Sequence, residues 1–161
     1  MEVLANGTLN FTIKGIHIGM KVIWNYTPPT NGGDTFTSIK KGSKATLKIV
    51  QNKENGFIKE LYIQKVQNTE NATFKTQLEK TIKELQDTYP FLSIKERNNG
   101  LYLIDIPQAC RSGHEAHFSK VAKTFLHYLQ YKDMPEWENE NTISKYYITT
   151  TAVEMAKSRD K

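Results

Sequence analysis

Between Ile16 and Tyr26 the chain alternates without a break: Ile16, Ile18, Met20, Val22, Trp24 and Tyr26 interleave with His17, Gly19, Lys21, Ile23, Asn25 and Thr27. Successive side chains of a strand point to opposite faces, so this pattern describes a long strand with one buried and one mostly polar face. Leu9, Phe11 and Ile13 alternate in the same way with Thr8, Asn10 and Thr12, and Lys14-Gly15 between the two stretches reads as a hairpin turn. Ala45, Leu47 and Ile49 alternate again, and a further strand is expected near residues 58–66. One-sided alternation of this kind suits an antiparallel sheet with a single covered face.

After the last of these strands the period changes. Phe74, Leu78, Ile82 and Leu85 form one helical stripe, which Tyr89-Pro90 ends. Two short strands follow near 91–96 and 101–106, and Asn98-Asn99-Gly100 between them is a hairpin signal. A second helix carries Phe118, Val121, Ala122, Phe125, Leu126 and Leu129 on one face. A third is expected to start after Asn139 or Asn141 and to include Ile143, Tyr147 and Met155. Thr27-Pro28-Pro29-Thr30-Asn31-Gly32-Gly33 reads as a loop between strands and not as a domain linker. The expected fold class is α+β: a single open, mostly antiparallel β-sheet with helices packed on one face.

A chain of 161 residues fits one domain, here taken as 1–161, with room for an ordinary hydrophobic core. The single cysteine, Cys110, excludes an intrachain disulfide and leaves the compartment open between cytoplasm and periplasm. No apolar run approaches the ~20 residues of a membrane span, and MEVLANGTLNF has neither a basic start nor an apolar signal core. A soluble protein is expected. The formal charge is +5, from 22 basic and 17 acidic residues. Its densest basic stretch, Lys40-Lys41-Gly42-Ser43-Lys44, is short and sits where a turn is expected. No nucleic-acid partner is expected from so small a patch.

The segment Arg111-Ser112-Gly113-His114-Glu115-Ala116-His117-Phe118 carries the most chemistry. Ser112 and Glu115 have capping-box spacing ahead of an amphipathic stripe, which places His114 and His117 in the first turns of a helix. The positive end of a helix disfavours imidazolium, and a neutral imidazole can bond a hydroxyl or help move its proton. Both rings can equally be surface or packing residues. His-Glu-x-His is one residue short of the zinc-binding His-Glu-x-x-His helix, so no metal site is expected. On the polar side of the long strand, His17, Lys21 and Asn25 share one face that suits a ligand wall, an oligomer interface or plain solvent. Asp34, after Gly32-Gly33, stands in a loop able to fold over a ligand, or serves only as a turn residue. Four Asn-x-Thr sequons (Asn6, Asn10, Asn25 and Asn71) are read as accidents of strands rich in these residues. Cys110 has no base pattern nearby and is expected to be a small buried or semi-buried residue and not a nucleophile.

Two stretches together carry a resemblance. Val22-Ile23-Trp24-Asn25-Tyr26 runs into Gly33-Asp34-Thr35 and Gly42-Ser43-Lys44-Ala45. Gly113-His114-Glu115-Ala116-His117-Phe118 continues through Trp137-Glu138 to Lys145-Tyr146-Tyr147. They resemble the C-terminal domain of bacterial oxidoreductases in the glucose-fructose oxidoreductase / inositol dehydrogenase family. The resemblance implies a two-domain parent whose N-terminal Rossmann domain, absent from this chain, binds NAD or NADP. The C-terminal domain would supply the pocket for a sugar, polyol or related hydroxy compound, and an open sheet used to form a homo-oligomer. It also implies a histidine beside the reacting hydroxyl, and His114 and His117 are the positions that match. The family's catalytic lysine lies in a Glu-Lys-Pro segment that this sequence lacks, so no lysine here inherits that role.

Two functional readings follow: the substrate side of such an oxidoreductase, inactive by itself, or a free-standing binding or assembly module with the same fold. A hydrolase built on His114, Glu115 and His117 lacks a nucleophile. No glycine fingerprint precedes a helix and no ribose-binding acid follows one, so the chain by itself is expected to bind neither NAD(H) nor NADP(H). Calorimetric titration should give no heat of binding, and micromolar affinity would contradict this reading.

Overall fold

The computed structural model describes residues 5–159 apart from 69 and 99. In chain order the elements are β1 (Gly7–Ile13), β2 (Ile16–Val22), β3 (Phe36–Lys41), β4 (Ala45–Gln51), β5 (Glu60–Lys65), α1 (Asn71–Leu85), β6 (Ser93–Asn98), β7 (Leu101–Asp105), α2 (His114–Tyr131) and α3 (Glu136–Arg159). Contacts gather them into two units. One is Pro28–Gly113, and the other joins the segment up to Thr27 with the segment from His114 onward.

The unit Pro28–Gly113 is an open antiparallel sheet of order β3-β4-β5-β7-β6 with α1 on one face. The stripe on α1 explains which face it covers: Leu78 and Ile82 are buried against Tyr102 and Ile104 of β7. Phe74, Leu61, Ile63, Leu92, Ile94 and Ile106 pack around them. Tyr102 is the most deeply buried side chain, 1% exposed, and burial raises its phenol above the usual range. The register puts Tyr62, Leu103 and Lys95 side by side on the opposite face, which no α-helix of this unit covers. There Tyr62 donates to Glu60 at 2.6 Å and Lys95 pairs with Asp105 at 2.7 Å.

The α+β class and the open antiparallel sheet are as the patterns imply, but the strands divide differently. The hairpin β1–β2 forms a two-stranded sheet of its own, so His17, Lys21 and Asn25 do not lie on the main sheet. The long strand also stops at Val22, where side chains replace strand partners: the backbone N–H of Trp24 donates to Asn6 Oδ1 at 2.7 Å. Lys14 and Gly15 both have positive φ, 48° and 78°, the type I′ geometry whose twist matches the strands. Lys40 and Lys41 belong to β3 and not to a turn; the turn is Gly42–Lys44, closed by Gly42 N–H to Ala45 O at 2.9 Å. Asn99, the middle of the expected β6–β7 turn, lies outside the described residues, and Gly100 beside it has φ +75°. The third helix starts at Glu136, directly after Pro135, a residue suited to a helix start.

The helices of the other unit differ from α1. None of the residues of α2 is buried, and Phe118, Val121, Phe125, Leu126 and Leu129 are all more than half exposed. Removing a buried side chain should therefore cost far more than removing one of these. Ile82→Ala is expected to destabilise by about 2–5 kcal/mol, and Phe125→Ala by within about 0.5 kcal/mol. Urea unfolding of the two variants measures the difference.

Candidate functional site

The hairpin carries an open concavity of about 390 Å³, lined by Asn6, Gly7, Thr8, Lys21, Val22, Ile23 and Asn25. The two-residue turn at Lys14-Gly15 sets the register outward from residue 13 opposite 16 to Gly7 opposite Val22, and so places Thr8 directly across from Lys21. Successive residues alternate faces, so Thr8, Asn10, Thr12, His17 and Lys21 share the polar side while Leu9, Phe11, Ile18 and Met20 share the other. Beyond the ladder, Asn6 closes the end of the hairpin. Its Nδ2 donates to Asn25 Oδ1 at 3.1 Å while its Oδ1 accepts from Trp24 N–H. The wall thus offers an ammonium, a hydroxyl and two amide side chains, a set that can bond several hydroxyls of one small polar molecule.

The expected site residues fall into four places. Lys21 and Asn25 line the concavity together. His17 lies nearer the turn, its Nδ1 paired with Thr12 Oγ1 at 2.9 Å, and does not line it. His114 and His117 are exposed in the first turns of α2. The ring of His114 meets Phe118 edge-on with centroids 4.9 Å apart, which ties it to the apolar stripe. Asp34 is exposed in the other unit, beside Gly33, whose missing side chain leaves room for Phe57. Asn6 and Thr8 were not expected as site residues. The signal was available, since extending the hairpin register past the turn puts Thr8 across from Lys21 and Asn6 across from Ile23.

The helix α2 begins at His114, which puts Gly113 and not Ser112 immediately before it, with Glu115 in the first turn. Ahead of it the chain is anchored: Arg111 donates from Nε to Ile106 O at 3.2 Å and from Nη1 to Lys59 O at 2.7 Å. The groups with shifted pKa values belong to the Pro28–Gly113 unit. The hydrogen bond to Glu60 raises Tyr62, and the hydrogen bond to Glu96 raises Lys75, so both serve the sheet. Among the described residues no three or more His, Cys, Asp or Glu side chains converge to hold a metal. No helix among them is long and apolar enough to cross a membrane.

A nicotinamide dinucleotide does not fit these residues. Its usual cradle is a glycine turn between a strand and a helix in a parallel β-α-β unit, whereas every described strand pair here is antiparallel.

The family described as "Putative oxidoreductase C terminal domain" matches residues 1–157. Among solved structures, the chain is similar to a putative oxidoreductase from Parabacteroides merdae ATCC 43184, with 40% identity and a TM-score of 0.91. The similarity covers 96% of this chain and 35% of that one, so this chain spans about a third of its relative's length. No curated protein matches the sequence.

The closure of the hairpin by Asn6 is open to direct measurement. Asn6→Ala removes both of its bonds, each worth about 0.5–1.5 kcal/mol, so amide exchange at Trp24 should quicken by up to about tenfold. Unchanged exchange there would show that Asn6 does not hold the wall in place.

Proposed function

Because the chain belongs to the family of putative oxidoreductase C-terminal domains, we propose that it forms the substrate-binding and assembly domain of an NAD(P)-dependent oxidoreductase acting on a sugar, polyol or related hydroxy compound. The family match across nearly the whole chain carries this reading. The dinucleotide belongs to the N-terminal domain of the parent, since the residues here do not fit it.

The division of labour follows from the residue types. Lys21, Asn25 and Thr8 present donors and acceptors along one wall, which suits a molecule bearing several hydroxyls. His17 continues the same polar face; Asp34, exposed in the Pro28–Gly113 unit, is a separate candidate for holding substrate. A hydroxyl that becomes a carbonyl must give up its proton, and an imidazole can accept one. That role is assigned to His117, with His114 beside it one turn earlier and held against Phe118. The face of the five-stranded sheet opposite α1, where Tyr62 sits among Lys48, Glu60, Lys95 and Asp105, supplies the surface for a second subunit. An aromatic side chain with a polar, charged rim is common where subunits meet.

His117→Ala in the two-domain parent tests the central assignment. Turnover should fall by roughly 10²–10⁴ while the circular dichroism stays unchanged, because the residue is exposed. Unchanged turnover would remove His117 from the reaction.

A further inference from the structure

The helix α2 presents Phe118, Val121, Phe125, Leu126 and Leu129 at spacings that form one stripe, and each is 58–68% exposed. A complete aromatic side chain carries roughly 150–250 Å², so the stripe exposes on the order of 600 Å². Soluble monomers seldom leave a larger apolar patch than about 300–600 Å² uncovered, and this stripe stands at the upper end of that range. Domain interfaces within one polypeptide bury about 600–1,500 Å², the range this surface falls in.

We propose that the apolar stripe of α2 is the seat of the N-terminal domain in the parent polypeptide. This rests on the reading of the chain as a C-terminal domain, and on nothing in its redox chemistry. In the longer relative from Parabacteroides merdae, the part similar to this chain is the smaller part of the polypeptide. The family description puts that part at the C-terminal end, so a larger body of chain precedes it. The exposed helices share a unit with the segment up to Thr27. A domain joined ahead of that segment is therefore tethered to the unit that carries the stripe, at high effective concentration. A membrane surface suits the stripe less well. The polar side of α2 has only Lys120 and Lys123 as fixed positive charges, set against Glu115, whereas interfacial helices are rich in Lys and Arg.

Hydroxyl-radical footprinting of this chain and of the full-length Parabacteroides merdae oxidoreductase tests the proposal. In this chain Phe118, Phe125 and Leu129 should react at rates close to those of free side chains. The aligned positions in the longer protein should be protected several-fold, independently of protein concentration, while positions aligned with exposed Leu85 on α1 react alike in both. Equal reactivity along the helix overturns the proposal. Protection that disappears on dilution also overturns it, because the stripe would then belong to a second copy, as does protection that appears only on adding anionic phosphatidylglycerol vesicles. The readout uses no turnover, so an inactive or fully active His117 variant leaves it untouched, and a failed footprint leaves the catalytic assignment standing.

Discussion

The burial of Tyr102 and Ile104 beneath Leu78 and Ile82 is the contact on which the Pro28–Gly113 unit depends. Each such side chain contributes about 1.5–3 kcal/mol when taken out of water. Their burial brings β7 between β5 and β6, so that a strand late in the chain becomes the middle of three. The helix that precedes β6 and β7 in sequence supplies the cover, which is why the hydrophobic period changes before the last two strands and not after them. Once β7 is in place, Arg111 can reach two carbonyls, Ile106 O at the exit of β7 and Lys59 O at the entry to β5. The end of the sheet unit is thereby held just ahead of His114.

Much of this fold was legible where one face of an element is apolar and the other is not. The alternation in β1, β2, β4 and β5 and the stripe on α1 mark those elements, because burial acts on side chains at fixed spacing. Strand β3 was missed for a physical reason. Phe36 and Ile39 are three apart and fall on opposite faces, and Lys40-Lys41 reads as solvent-facing, as suits an edge strand. The length of β2 was overestimated because the alternation runs on through Trp24 and Tyr26, although Asn6 has by then taken the backbone donor that a partner strand would need. The start of α3 was signalled by Pro135 with Glu136 and Glu138, which outweigh the later asparagines as a helix start.

The site was legible only in part. Period two put His17, Lys21 and Asn25 on one side of a strand, and two of the three share a concavity. What alternation alone does not reveal is which neighbour completes the wall, and here that is Asn6, outside the strand and linked to Asn25 by its side chain. The histidines of α2 were found from a helix-start pattern, and they stand at the start of the helix even though it begins a residue later than the capping box implies. The same helix shows the limit of reading amphipathicity as burial. Its stripe is as clean as that on α1, yet its side chains are exposed, so an apolar face marks what an element needs to cover without naming the cover.

In the proposed function this chain recognises the substrate and leaves the dinucleotide to the rest of the parent. The most direct measurement is steady-state kinetics of the parent carrying Lys21→Ala together with Asn25→Ala, beside a fluorescence titration of its nicotinamide nucleotide. Losing two hydrogen-bonding groups should raise KM for the hydroxy substrate by about tenfold or more, at about 0.5–1.5 kcal/mol each. The dissociation constant of the nucleotide should not move. A weakened nucleotide with an unchanged KM would contradict the account, because the hairpin wall would then face the cofactor and not the substrate.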